Sequence, residues 1–218
     1  MNLNKRILLV FAALVSTILA CNFSSNPCQP PEESGATFWD DFSDTDCDWD
    51  QSEDEQALTD FQDGGYRIFV KKSNYSAWAN PNESSKTDVR VEADALKIGG
   101  NDDNEFGLIC RHVDAENFYV ATISSDGYYG FLRRLGGGDI ELIGMESMLS
   151  SDAVQLGGAS NHIRLDCVGS ILTLYVNGEM VGQASDSALT NGDVGLYAGT
   201  FEIAGTDILF DNFVVYQP

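Results

Sequence analysis

Asp88-Val89-Arg90-Val91-Glu92-Ala93-Asp94-Ala95 decides the fold class. Val89, Val91, Ala93 and Ala95 share one phase. Asp88, Arg90, Glu92 and Asp94 share the other. A strict period of two with one apolar side is a strand with one face on a core and one toward water. Working outward, Phe106-Leu108-Cys110 and Ile163-Leu165-Cys167 repeat that alternation, with Arg164 and Asp166 on the opposite side. Leu172-Leu174-Val176, then Asn177-Gly178, then Met180 reads as a two-residue hairpin, because Asn-Gly supplies the positive φ of a type I′ turn. Ser125-Asp126-Gly127 and Asn191-Gly192-Asp193 are further turns. Gln56 to Phe61 reads as one short helical turn, and no longer helical stripe is present. About a dozen short strands separated by turn signals predict an all-β, two-sheet antiparallel sandwich.

The ends of the chain set its surroundings. Lys5 and Arg6 precede the apolar run Ile7 to Leu19, which closes on Ala20-Cys21. A basic start, a short apolar run and a small residue make a secretory signal over residues 1–20. Cys21 directly after it resembles the lipobox of bacterial lipoproteins, which implies cleavage before Cys21 and acylation of its thiol. Residues 21–36 are rich in Ser, Pro, Asn and Glu and read as a lipidated flexible tether. The folded domain is expected over residues 37–218, extracytoplasmic and anchored to a membrane through lipid.

The formal net charge is −22; losing Lys5 and Arg6 with the signal makes it −24. Such a surface repels nucleic acid and excludes it as a partner. Cys28, Cys47, Cys110 and Cys167 remain after Cys21, an even number in an exported chain, with three possible connectivities. Cys110 and Cys167 both fall on the apolar phase of their strands. The expected bridges are Cys110–Cys167 and Cys28–Cys47. His112 and His162 are the only histidines, and no CxxC pair occurs, which argues against a zinc site.

Several segments carry a recognisable order: Asp88 to Asp94, Phe106 to Arg111, Asn117 to Tyr119, Asp126 to Gly130, Asn161 to Arg164, Leu172 to Gly178, Gly192 to Leu196 and Phe210 to Val215. Taken together they resemble the concanavalin A-like lectin/glucanase superfamily. Within it they are similar to laminin-G-like domains and to the domain linked to keto-disaccharide hydrolases. The resemblance implies a jelly roll whose concave face holds glycans in many relatives. That superfold serves enzymes, lectins and spacers alike, so it does not fix function.

Glu92 and Asp94, at i and i+2 on a strand, lie about 6.5–7 Å apart at the backbone, a separation that glycosidases use. The laminarinase-type relatives place a second Glu just after Glu-x-Asp. Ala95, Leu96 and Lys97 stand there instead. The competing reading is a hydrated outer face on which Arg90 and Arg111 pair with these carboxylates. Arg111 is in phase with Gly107 and Ile109, and Trp78, Tyr119, Tyr128 and Tyr129 lie near these strands. Stacking aromatics with Arg and carboxylate hydrogen-bonders are what sugar recognition needs. The expected ligand face is therefore Arg90, Glu92, Asp94, Arg111, Tyr119, Trp78 and Tyr128, with Lys72 off it.

Asp211 is in phase with Leu209, Phe213 and Val215, and a core-facing carboxylate demands a partner. The resemblance implies a structural Ca²⁺ there, with Asp41, Asp40 or Gly65 near the first strand. The other reading is an Asp bonded to a turn. Asp44-x-Asp46-x-Asp48 with Glu55 has EF-hand spacing, but Trp49 replaces the required Gly, so it reads as an acidic loop. Three functions remain: a non-catalytic glycan-binding domain, a hydrolase of glycosides or keto-disaccharides, and a protein-interaction or sensor module.

Overall fold

A computed structural model describes residues 28–31 and 34–218. The signal, Cys21 and most of the tether lie outside the described residues. The described residues form sixteen strands: β1 (Ala36–Asp40), β2 (Ser52–Glu53), β3 (Ala57–Gln62), β4 (Gly65–Val70), β5 (Tyr75–Ala79), β6 (Val89–Gly99), β7 (Asn104–Asp114), β8 (Asn117–Ile123), β9 (Tyr128–Arg134), β10 (Glu141–Leu142), β11 (Leu149–Ser150), β12 (Asn161–Val168), β13 (Ile171–Val176), β14 (Glu179–Ser185), β15 (Asp193–Thr200) and β16 (Thr206–Tyr216). No helix occurs among the described residues. The helical turn expected at Gln56–Phe61 is instead β3, because that segment pairs in register with β4.

Two antiparallel sheets form the jelly-roll sandwich. The nine-stranded sheet runs β14-β13-β12-β6-β16-β4-β3-β2, with β1 also on β16. The seven-stranded sheet runs β10-β9-β8-β7-β15-β5, with β11 also on β9. Val89, Val91, Ala93 and Ala95 face the core, as their alternation predicts, and Phe106, Leu108 and Cys110 meet them from the other sheet. The β13–β14 hairpin turns at Asn177 (φ 51°) and Gly178 (φ 85°), the left-handed pair that the Asn-Gly sequence predicts.

Both expected disulfides are present. Cys110–Cys167 joins β7 to β12 across the sandwich with a Cα separation of 6.7 Å. Cys28–Cys47 has a Cα separation of 5.6 Å. Both separations fit bridge geometry. Cys28 is thus fixed to the domain, so the folded unit reaches upstream of Thr37 into the stretch read as a free tether.

An aromatic plug closes one end of the core. Trp49 packs edge-on against Phe42 (5.2 Å) and Phe213 (4.9 Å). Its Nε1 donates to Asp40 Oδ2 at 2.8 Å, and Phe42 N donates to Asp40 Oδ1 at 2.7 Å. Asp40 is therefore a structural acceptor for an indole and a backbone amide. Burial pushes its pKa up to about 6.

The outer face of the seven-stranded sheet is also apolar. Ile109, Phe118, Val120, Leu132 and Tyr197 are buried there beneath Ile140 and Leu142. Covering on both sides explains the unbroken run Phe118-Tyr119-Val120-Ala121, which lacks a solvent phase.

Candidate functional site

The expected ligand face does not assemble as one surface. Arg90, Glu92 and Asp94 are on β6 in the nine-stranded sheet; Trp78, Arg111, Tyr119 and Tyr128 are on β5, β7, β8 and β9 in the other. Strands adjacent in sequence cross between the sheets here, so proximity along the chain does not bring their side chains together.

Arg111 is the clearest correction. The β7–β8 register shifts after Cys110, and Arg111 takes φ 53°. This bulge ends the alternation that placed the side chain outside. Arg111 is 2% exposed and donates to the carbonyls of Thr87 (3.3 Å), Leu189 (2.9 Å) and Gly169. Tyr119 is likewise buried; its hydroxyl donates to Asp186 Oδ1 and accepts from Leu189 N at 3.0 Å. Neither group reaches a ligand surface.

Asp211 is corrected for the same reason. The β16–β6 register shifts between Asp211 and Val214, with Asn212 at φ 52°. Phe210 and Phe213 point inward, while Asp211 pairs with outward Asp94. Asp211 is half-buried on the outer side rather than core-facing. Burial, then the nearby carboxylates of Asp94 and Asp41, push its pKa up, so the two residues expected to share a calcium, Asp211 and Asp41, lie near each other. Asp41 Oδ1 accepts from Ser43 N in its own loop. Among the described residues, no group of three or more His, Cys, Asp or Glu could hold a metal ion.

Arg90, Glu92 and Asp94 face their register partners Asp166, Arg164 and His162 across β12. His162 Nδ1 lies 2.8 Å from Asp94, and Nε2 lies 3.4 Å from Glu92. Arg90 Nε lies 3.1 Å from Asp166, and Arg164 is over the Tyr175 ring at 4.3 Å. The carboxylates that suggested glycosidase chemistry are thus held in a cross-strand ion network, with His162 rather than Arg111 as the added partner.

Hydrogen bonding to Glu92, then to Asp94, pushes His162 up to about 9. A folded pKa above the unfolded value near 6.5 adds stability that is complete below that value. It is lost as pH rises from 6.5 to about 9. The side chain is 43% exposed, so solvent screening limits the effect to about 1 kcal/mol, or roughly 2–4 °C in Tm. Burial-raised Asp40 and Asp193 act lower, between 3.8 and about 6. Melting across pH 6.5–9 should show this loss in the wild type and a flatter profile in His162→Gln. Parallel profiles would remove His162 as its source.

A series of open hollows lies along the outer face of the seven-stranded sheet. An open trough of about 670 Å³ is lined by Asn74, Tyr75, Ser76, Trp78, Arg134, Gly138, Asp139 and Ile140. A second hollow of about 390 Å³ shares Asn74, Tyr75, Ser76 and Ile140 and adds Glu105 and Met148. A third, of about 570 Å³, shares Met148 and Phe201 with the second and contains Tyr128. Trp78 and Tyr128, both expected ligand residues, therefore belong to one series of hollows.

The strands build the floor of this trough by register. Gly199 pairs with Glu105 on one side and Ser76 on the other. A Cβ at Gly199 would lie 2.5 Å from Glu105 Oε1, so the glycine leaves room for that carboxyl to cross the strand. Tyr197 OH donates to Glu105 at 2.6 Å and is hydrogen-bonded to Ser76 Oγ at 2.7 Å. Burial pushes the Glu105 carboxyl up, partly opposed by the tyrosine hydrogen bond. Trp78 packs on Phe118 (centroids 5.1 Å), with the Arg134 guanidinium 5.9 Å over the indole. Sequence reading missed Glu105, Tyr197, Ser76 and Arg134. The available signal was Gly195-Leu196-Tyr197-Ala198-Gly199, a tyrosine flanked in its own phase by glycines, which marks close approach by a neighbour.

A separate polar hollow of about 510 Å³ lies among Asp50, Asn80, Asn82, Glu83, His112 and Asp193. Its groups chiefly bond one another: Asn80 N donates to Asp50 Oδ2 (3.1 Å) and Glu83 N to Asp193 Oδ2 (3.1 Å). This network clamps the β5–β6 connection to the start of β15. Asn80 Oδ1 and His112 Nε2 are buried there without a hydrogen-bond partner among the described residues.

No protein-family model matches the chain, and no curated protein sequence matches it. Solved structures do. The carbohydrate-binding module CBM66 from Bacillus subtilis aligns with TM-score 0.62 at 18% identity, covering 78% of this chain and 96% of that one. A Bacillus licheniformis beta-glucanase aligns with TM-score 0.57 at 10% identity, covering 85% and 100%. A xylan beta-1,4-xylosidase from Bacillus halodurans C-125 aligns with TM-score 0.56 at 14% identity, covering 82% of this chain and 39% of that one. These likenesses show the fold alone, a two-sheet jelly-roll sandwich. Binding modules and hydrolases both use it, so the fold does not choose between them.

Proposed function

We propose that this chain is an exported, membrane-tethered domain that binds a glycan in the trough of the seven-stranded sheet without hydrolysing it. The observation that carries this reading is the trough itself: half-buried Trp78 and Tyr75 beside the polar groups of Asn74, Ser76 and Arg134. Apolar ring faces and a few placed hydrogen-bonding groups suit a sugar. Two disulfides support an oxidising, extracytoplasmic setting, and the sequence at Cys21 supports a lipid anchor there.

Hydrolysis by the usual route needs two carboxyl groups flanking one bond. The lining carboxyls of the trough and its adjoining hollow are Asp139 and Glu105, and Glu105 is buried against Tyr197. Glu92 and Asp94 belong to the other sheet and are bound to His162. These placements support binding over turnover.

The test uses the full chain with Cys21→Ser, which should move from the membrane fraction to the soluble one. A glycan array of that protein should then find a ligand. Trp78→Ala should weaken it roughly tenfold, about 1.4 kcal/mol, in keeping with one aromatic contact. Cleavage of the bound oligosaccharide would replace this reading with the hydrolase. Binding to no glycan would replace it with the protein-interaction module.

A further inference from the structure

We propose that the trough selects an acidic glycan, one whose sugar ring carries a carboxylate or sulfate, through Arg134 and Lys72. This rests on the glycan-binding reading above and specifies the class of sugar.

The chain has 34 Asp+Glu and 12 Lys+Arg, so a basic side chain has ample acidic partners. Ten of the twelve bases are among the described residues, and eight of them have a carboxylate within 4.0 Å. The other two are Lys72 and Arg134. They are far apart in sequence, yet Arg134 lines this trough and Lys72 stands against the ring of one of its lining residues. Lys72 Nζ lies 5.6 Å from the centroid of the Tyr75 ring. Lys72, expected from the sequence to lie off the ligand face, thus stands beside a residue that lines the trough.

The local geometry leaves the charge available. Arg134 Nε donates to Gly138 O at 3.2 Å, and its terminal nitrogens make no hydrogen bond among the described residues. Packing over Trp78 holds the guanidinium plane in place. A fixed planar fork suits two oxygens of one anion, and a mobile ammonium adds a point charge beside it. Since Arg134 covers part of the indole, its donors stand where a sugar would approach the ring. Two carboxyls share the site: Asp139 lines the same trough, and Glu105 lies below in the adjoining hollow. The net charge of the whole chain opposes an anion only at long range, since the Debye length is about 8 Å at physiological salt. An acidic sugar lying in the trough meets the Arg134 charge within that distance.

The experiment is calorimetric titration of the full chain carrying Cys21→Ser at physiological salt. The probes are oligogalacturonate against its methyl ester, and a sulfated galactan oligosaccharide against its desulfated form. At least one acidic probe should bind about tenfold or more tightly than its neutral counterpart; which of the two does so identifies carboxylate or sulfate as the recognised group. Arg134→Gln and Lys72→Gln should each weaken the acidic probe several-fold and narrow its advantage over the neutral one. Arg134→Lys should retain part of the preference, and Trp78→Ala should weaken both forms. Equal affinity for acidic and neutral forms, with no effect of Arg134→Gln, would overturn the acidic preference and leave glycan binding standing. Failure of every acidic and neutral glycan would remove both.

Discussion

Replacing Cys110 and Cys167 together by alanine should lower the unfolding free energy by about 4 kcal/mol, the chain-entropy value for a loop of this length. The two residues are 57 apart in sequence, so their bridge removes many conformations from the unfolded chain. In the folded state the bridge lies in the core, where both sulfurs are fully buried, and it ties one sheet to the other. The substitution also removes packing atoms from a site enclosed by both sheets, which adds a cavity contribution of the same sign. Denaturant unfolding of the variant and wild type checks this, with the midpoint falling and the slope rising as the unfolded chain expands. Reducing the wild type should reproduce most of the loss. A change below about 1 kcal/mol would mean that the bridge does not restrain the unfolded chain as this estimate requires.

That bridge was legible because it depends on strand phase alone. Cys110 and Cys167 each continue an unbroken alternation, and phase survives wherever a strand is regular. The same reasoning failed one residue further on. Arg111 follows Cys110 but enters a left-handed bulge, and a one-residue slip sends a side chain to the opposite face. Asp211 failed in the same way beside Asn212. Neither bulge is marked by a glycine; Asn212 is of a type that takes left-handed φ readily, but Arg111 carries no such local sign. The trough was hidden for a different reason. Glu105, Tyr197 and Ser76 meet because β7, β15 and β5 are neighbours in one sheet, and alternation says nothing about which strands are neighbours. Arg90, Glu92 and Asp94 were correctly placed on an outer face. Their partner His162 came from β12, whose place beside β6 no local pattern reveals.

Arg111→Met should cost about 3–5 kcal/mol, the range for removing one member of a buried charged network. The guanidinium gathers three carbonyls from separate connections: Thr87 before β6, Gly169 between β12 and β13, and Leu189 before β15. Asp88, 3.8 Å away and largely exposed, adds a weaker opposite charge. Methionine fills similar volume but donates nothing, so these acceptors would be left to open toward water or stay unpaired. Arg111→Lys keeps the charge on a narrower group that cannot span all three, and it should fall between the two. Denaturant unfolding measures the loss, and faster amide exchange in the three connections should accompany it. The glycan trough lies on an outer sheet face that Arg111 does not line, so affinity in the folded variant should stay within about twofold of wild type. Wild-type stability in Arg111→Met together with lost glycan binding would reverse the assignment. Arg111 would then be the ligand residue that its place in the alternation first suggested, and not the staple of three loops.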